Sequence, residues 1–265
     1  MTTGHAIYPS LHGKNVVVTG GAEGIGAAAV ELFALQGSRV FFLDIATDSA
    51  QKVIDRVASL SSKEGGPAVV PPVFFHCDVT DLDKLQATAS QILEEHGTVH
   101  VLVNNAACRV ETEDVTPASW DLSINTNLRH VFFLTQAFLP AMKRAGGGSI
   151  VNMGSITWRI PAAGTPAYAA CKAGIMGMTR SQSKEFGRFG VRINSVMPGS
   201  IATQRQVDEV LTDEYRAEVL RSQSLQRHLT PMDVARVIVF LGSDEASGVT
   251  GSSYYTVDGG WCSDP

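Results

Sequence analysis

Short β-branched apolar runs alternate along the chain with longer stretches in which apolar residues recur every three or four positions. The short runs, bounded by Gly, Asn or Asp, have the pattern of buried strands, and the longer stretches that of helices with one apolar face. The pattern predicts strands over Asn15–Thr19, Arg39–Leu43, Val73–His76, His100–Val103, Ser149–Met153 and Arg192–Met197, with a last one near Ser253–Val257. Between them it predicts helices over Ala27–Gln36, Ser49–Leu60, Leu82–His96, Pro117–Arg144, Ala167–Phe186 and Met232–Gly242. Strand and helix in regular succession make βαβ units, whose strands lie parallel. The fold class expected is therefore α/β: a single doubly wound domain over residues 1–265, with a seven-stranded parallel sheet flanked by helices.

Two stretches break this rhythm. Ser61–Pro72 is rich in Ser, Gly and Pro and reads as a surface loop. Ile201 to about Thr230 is more polar than its surroundings. Long connections in compact domains are usually functional, so a substrate lid around residues 201–230 is expected, an ordinary long connection being the alternative.

Composition narrows the class of activity. A chain of 265 residues with 44% hydrophobic and 18% charged residues fits a globular enzyme-like fold. Its formal net charge of −5 offers no basic face for nucleic acid or an anionic membrane, so a small-molecule substrate is expected, with no nucleic acid and no membrane partner. Cys77, Cys108, Cys171 and Cys262 lie far apart without a C-x-x-C pair, so neither a metal site nor a disulfide framework is expected, and the thiols read as those of a cytoplasmic protein. The first residues lack the basic and apolar regions of a secretory leader, and no apolar run reaches the length of about 18 residues needed to span a membrane.

Candidate chemistry begins at Val16-Val17-Val18-Thr19-Gly20-Gly21-Ala22-Glu23-Gly24-Ile25-Gly26, which leads from a predicted strand through a glycine-rich turn into a helix. This is the context in which a dinucleotide pyrophosphate is held, although a turn without a ligand would read the same locally. Gly20, Gly24 and Gly26 allow the tight turn, the approach of backbone to phosphate and close helix–strand packing. Asp44 ends the second strand, where a carboxylate accepts both adenine-ribose hydroxyls and repels a 2′-phosphate, so NAD is expected over NADP. Glu23, acidic inside the turn, points the same way. Asp78, after the third strand, is a candidate acceptor for the adenine amino group, an acidic helix N-cap being the rival reading. In Asn104-Asn105-Ala106-Ala107 the small residues let the chain pass close to a ribose. Further along, Tyr168 and Lys172 share one face of a predicted helix, and Ser155 stands at the carboxyl end of a strand, where open α/β sheets bind ligands. An unperturbed tyrosine, with a pKa of about 10, is a poor base near neutrality. A neighbouring ammonium and an oxidised nicotinamide both favour its phenolate.

Together these residues resemble the short-chain dehydrogenase/reductase family from Lys14 to Trp261. Thr19–Gly26 is similar to its T-G-x-x-x-G-I-G, Asn104–Ala107 to its N-N-A-G with Ala107 in place of the last glycine, and Tyr168–Lys172 to its Y-x-x-x-K. Ser155 stands at the family's serine spacing, Asn127 matches its helix asparagine, and Pro198-Gly199-Ser200-Ile201-Ala202-Thr203 resembles the segment that holds the nicotinamide carboxamide. The resemblance implies a Rossmann-like fold and an NAD-dependent oxidoreductase acting on CH–OH groups. It implies that Tyr168 exchanges the substrate hydroxyl proton, Ser155 holds the substrate oxygen, Lys172 binds the nicotinamide ribose and favours the tyrosine's phenolate, and Asn127 opens its helix to a relaying water. The cofactor contacts it implies are Gly20, Glu23, Gly24, Ile25, Gly26, Asp44, Ile45, Asp78, Val79, Asn105, Ala106, Ala107, Pro198, Gly199, Ile201 and Thr203, joined by Tyr168 and Lys172. With the apolar excess of the helices Pro117–Arg144 and Ala167–Phe186, it also implies a homotetramer, a dimer being the next possibility.

Within that family the chain resembles bacterial NAD-dependent aldose 1-dehydrogenases of the D-xylose type. The shared stretches are Ala6–Leu11, Phe42–Ala46, Asn127-Leu128-Arg129-His130, Gly154-Ser155-Ile156 with Trp158, and Arg205-Gln206. The substrate expected from this is a sugar oxidised at its anomeric carbon, with Trp158 stacked on the ring and Arg109, Glu111, Gln204 and Arg205 at the mouth. The polar stretch those enzymes carry after N-N-A-G is replaced by Cys108-Arg109-Val110-Glu111. A second reading therefore stays open, a secondary-alcohol dehydrogenase or ketoreductase for a less polar metabolite. A non-catalytic NAD-binding protein is the alternative of a different class. Such proteins usually lose the tyrosine or lysine, and both stand here.

Overall fold

The computed structural model describes residues 5–60, 67–109, 115–204, 206 and 212–262. Seven strands, β1 (Asn15–Thr19), β2 (Arg39–Asp44), β3 (Val73–His76), β4 (Val101–Asn104), β5 (Gly148–Met153), β6 (Val191–Pro198) and β7 (Tyr255–Val257), form one sheet. All neighbouring pairs are parallel, in the order β3-β2-β1-β4-β5-β6-β7. The order reverses beside β1, where Val16–Val18 pairs with Val40–Phe42 on one side and with Val101–Val103 on the other. The crevice outside the carboxyl ends of β1 and β4 is thus the topological switch point, where this class of sheet binds ligands.

Side chains alternate between two covered faces, which is why β1 reads as an unbroken apolar run. Val16, Val18, Val40, Phe42, Val101 and Val103 meet α1 (Gly24–Leu35), α2 (Thr47–Ala58) and α8 (Pro231–Gly242) on one face. Val17, Phe41, Leu43, Leu102 and Ile150 meet α3 (Leu82–His96) and α5 (His130–Arg144) on the other. A polar tie crosses the second layer: Asn104 donates to Asn152 at 2.9 Å, and Asn152 to Thr179 of α6 (Pro166–Phe186) at 3.0 Å. These buried amides fix β4 and β5 against α6 directly beneath the site.

Two stretches depart from the sequence pattern. The helix expected over Pro117–Arg144 is α4 (Pro117–Ile124), a π-helical turn (Asn125–Arg129) and α5. Apolar periodicity continues through the turn, so it does not register the extra residue. The stretch from 201 to 230 contains a further helix, α7 (Asp213–Ser222), started by Thr212, whose Oγ1 accepts from the Tyr215 N–H at 3.2 Å. The base of that stretch is closed, since Ile201 bridges Leu229 and the Ala202 N–H donates to the Leu229 carbonyl at 2.8 Å. Among the described residues no helix is long and apolar enough to cross a membrane, and no group of three His, Cys, Asp or Glu gathers as metal ligands do.

Candidate active site

The glycine turn between β1 and α1 is shaped by what it excludes. Gly20 and Gly24 have φ of +64° and +54°, conformations that side chains rarely adopt. A Cβ on Gly26 would stand 1.9 Å from the Gly20 carbonyl oxygen and 2.6 Å from Asn105 Nδ2. The turn is joined to the end of β4 by Thr19, whose Oγ1 accepts the N–H groups of Asn105 at 2.9 Å and Ala106 at 3.0 Å. Asn105 Nδ2 in return donates to the carbonyls of Thr19 and Gly20, at 3.0 and 2.9 Å. A positive-φ turn opening a helix, with walls that leave no room for a Cβ, fits a dinucleotide pyrophosphate.

The other residues expected at the cofactor surround this turn. Asp44 Oδ2 accepts the Ala22 N–H at 3.0 Å, and Oδ1 accepts those of Ile45 and Ala46 at 2.7 and 3.0 Å. Ile45 is exposed beside it, and Glu23 accepts the Ser49 hydroxyl at 2.6 Å. Asp78 does not cap α3. Its Oδ1 takes the N–H and hydroxyl of Thr80, and the N-cap is Asp81, which accepts from the Lys84 N–H at 3.0 Å. Val79 is buried and Ala107 exposed. Pro198 ends β6; a Cβ on Gly199 would meet Asp258 at 2.7 Å, and Ile201 is buried. The Thr203 methyl lies 3.1 Å from where a Gly24 Cβ would stand, so this segment closes on the glycine turn.

At the carboxyl end of β5, Ser155 is buried and its Oγ accepts from the Thr157 N–H at 3.2 Å and the Thr157 hydroxyl at 3.1 Å. A hydroxyl has two acceptor lone pairs and one hydrogen, so Ser155 is left as a donor. Two residues back, the Met153 carbonyl accepts from Lys172 Nζ at 2.8 Å. Lys172 is only 3% exposed, and its ammonium lies 5.3 Å from the ring centroid of half-buried Tyr168. The guanidinium of Arg109 lies 5.4 Å from the same centroid. Asn127, fully buried in the π-helical turn, accepts the Cys108 N–H at 3.1 Å and donates to the Cys108 carbonyl at 3.0 Å and the Ser123 carbonyl at 2.9 Å. The chain segment bearing Arg109 is thereby tied to the broken helix and returned to Tyr168.

Of the residues expected at the substrate mouth, Glu111 and Arg205 lie outside the described residues, and Gln204 is exposed. Trp158 is half-buried, its Nε1 donating to Met197 Sδ at 3.3 Å with the Arg159 guanidinium 5.9 Å from its ring. Two polar residues outside the expected set belong to the site's framework. One is Thr19. The other is His130, fully buried, whose Nε2 lies 3.5 Å from Thr19 Oγ1. Burial first, and the Lys172 ammonium second, push its pKa down to about 3, with the Thr126 backbone acting weakly the other way. Thr19 opens the glycine motif and His130 stands one helical turn after Asn127, which is the signal the sequence held for both.

Residues 20–262 match the family model described as enoyl-(acyl carrier protein) reductase. The chain is 43% identical over 258 residues to the D-xylose 1-dehydrogenase of Caulobacter vibrioides, covering 97% of this chain and 98% of that one. It is 41% identical to the probable galactose dehydrogenase of Rhizobium meliloti, covering 98% and 99%. A solved 7α-hydroxysteroid dehydrogenase in complex with NADH and 7-oxo glycochenodeoxycholic acid superposes with a TM-score of 0.86, at 31% identity and 96% coverage of each chain. With this sheet order, glycine turn and serine–tyrosine–lysine arrangement, the chain belongs to the short-chain dehydrogenase/reductase family, oxidoreductases that act on CH–OH groups with a nicotinamide cofactor.

Proposed function

We propose that the protein is an NAD-dependent aldose 1-dehydrogenase, oxidising a sugar at its anomeric carbon to the lactone. The observation that carries the chemistry is the grouping of Tyr168, Lys172 and the Met153 carbonyl at the end of β5, two residues from Ser155. The sugar assignment is supported by relatives named for D-xylose and galactose over nearly the whole chain.

Gly20, Gly24, Ile25 and Gly26 would hold the pyrophosphate, with Asp44 at the adenine ribose and Asp78 near the adenine. Asn105, Ala106, Tyr168 and Lys172 would hold the nicotinamide ribose, and the Pro198–Thr203 segment the carboxamide. When bound, the nicotinamide supplies the two-electron acceptor. Ser155 donates its hydroxyl hydrogen to the substrate oxygen, since both its lone pairs are taken by Thr157. Tyr168 removes the hydroxyl proton as the C1–H bond breaks, and the carbonyl of the lactone forms. Lys172 stabilises the phenolate, and Asn127, its amide engaged by Cys108 and Ser123, would open its helix at the π-helical turn to a water that relays the proton outward.

The bridge between Ile201 and Leu229, with α7 between them, supports the substrate lid expected over 201–230, of which residues 205 and 207–211 lie outside the described residues. Trp120 and Leu122 on α4, Phe132 on α5 and Tyr254 beside β7 are exposed apolar residues. They support a homotetramer of two-fold symmetry, which light scattering at micromolar concentration would contradict by returning a monomer. The free thiols support a cytoplasmic location.

The test is a panel of D-xylose, L-arabinose, D-galactose, L-rhamnose and simple secondary alcohols, each with NAD. A site built for hydroxyls rejects deoxy analogues strongly, because its own polar groups are left unpaired. The second reading, a secondary-alcohol dehydrogenase for a larger and less polar metabolite, is favoured by the likeness to the steroid enzyme. It replaces the first if no sugar reaches a kcat/KM of about 10² M⁻¹s⁻¹ while an alicyclic alcohol does.

A further inference from the structure

We propose that His130 is a positioning residue for the cofactor wall, a neutral imidazole that accepts the Thr19 hydroxyl hydrogen and so leaves both Thr19 lone pairs to the backbone of Asn105 and Ala106. This rests on the reading that Thr19–Gly26 and Asn105–Ala107 hold the dinucleotide.

The hydrogen-bond count carries it. Thr19 Oγ1 accepts two N–H groups, at 2.9 and 3.0 Å, which fills both lone pairs and leaves a single hydrogen to place. The polar atom before that hydrogen is His130 Nε2, at 3.5 Å. On that count Nε2 is the bare nitrogen, and the ring's proton sits on Nδ1, a buried atom that makes no hydrogen bond to the described residues. A doubly protonated ring would set a donor against a donor. Burial holds the ring in the neutral form, and the Lys172 ammonium opposes a second positive charge beside it.

The position of His130 in the chain adds a second link. It opens α5 where the π-helical turn ends, its own N–H donating to the Asn125 carbonyl across that turn. The same turn presents Asn127 to Cys108, three residues beyond Asn105. One buried ring therefore joins the glycine turn, the end of β4 and the turn that carries Asn127. With an apolar residue in its place, the Thr19 hydrogen has to turn toward the amides it now accepts from. The wall formed by Asn105 and Ala106 then loosens against the pyrophosphate turn.

The test compares His130→Gln, His130→Asn, His130→Leu, Thr19→Val and the double variant Thr19→Val/His130→Leu. NADH affinity is read by fluorescence titration and folding by thermal denaturation. Glutamine can place an acceptor near the Nε2 position, whereas asparagine is too short to reach it. The expected result is near wild-type NADH affinity for His130→Gln and a loss of about tenfold for His130→Asn and His130→Leu, the size of one net hydrogen bond. The double variant should be no weaker than Thr19→Val alone, because both remove one interaction. Equal affinities for the Gln and Asn variants, or additive losses in the double variant, would overturn the proposal. The Gln and Asn pair decides it even if the leucine variant does not fold. If the wild-type protein itself fails to bind NADH, the functional reading falls instead.

Discussion

Asp44 accepts the backbone N–H of Ala22 at 3.0 Å, so the end of β2 is clamped to the glycine turn and its carboxylate is held beside the mouth of α1. A fixed negative charge there repels a 2′-phosphate. NAD should be favoured over NADP by at least tenfold in kcat/KM, about 1.4 kcal/mol. Asp44→Ala should erase most of that ratio, mainly by losing activity with NAD. Steady-state kinetics with both cofactors decide it, and equal use of the two by the wild-type enzyme contradicts it.

Tyr168 is the group proposed to move the proton. Tyr168→Phe should lower kcat by roughly 10² or more, with NADH binding retained. Ser155→Ala removes a donor to the substrate oxygen and should cost about 10² to 10³ in kcat. A phenylalanine variant that keeps most of its turnover would exclude this mechanism.

A methyl group on Gly26 has nowhere to go, since it would lie 1.9 Å from the Gly20 carbonyl oxygen. Gly26→Ala should cost about 1–3 kcal/mol in stability and abolish detectable NADH binding. Gly177, where a Cβ meets nothing within 4 Å, is the control, and Gly177→Ala should leave binding unchanged. Thermal melts with NADH titrations measure both effects.

Asp233 closes the capping box of α8 with Thr230 and receives both nitrogens of the Arg227 fork, at 2.8 and 2.9 Å. The hydrogen bond from Arg227 comes first among the causes that hold its carboxyl down at about 2, against an ordinary value of 3.8. A carboxyl depressed in the folded state contributes stability above its unfolded pKa, and that contribution is lost as pH falls from 3.8 through about 2. Asp233→Asn should therefore lower Tm at pH 7 by about 2–4 °C, the worth of one helix cap in a chain of this size. The gap from wild type should narrow as pH drops through that window. Melts at neutral and acid pH showing a constant gap would exclude the assignment.

The strands, the glycine turn and the tyrosine–lysine pair were legible because each is local. A buried parallel strand must be apolar throughout, as Val16–Val18 is, and a turn against a helix must omit Cβ atoms, as Gly20 and Gly26 do. Local pattern also misleads where two residues compete for one role. Asp78 and Asp81 are both acidic and both precede α3, and only the course of the backbone made Asp81 the cap.

What the sequence determined by itself was which segments become strands and helices and which residue types stand at the sheet's carboxyl end. Its apolar period and its glycines are constraints that each segment meets alone. The tertiary structure decided the π-helical turn at Asn125–Arg129, the tie from Asn127 to Cys108 and the meeting of Thr19 with His130. Donors and acceptors far apart in the chain find partners only when β1, β4 and α5 pack together. The partner that remains within reach then fixes which atom donates, and no periodicity along the chain encodes that choice.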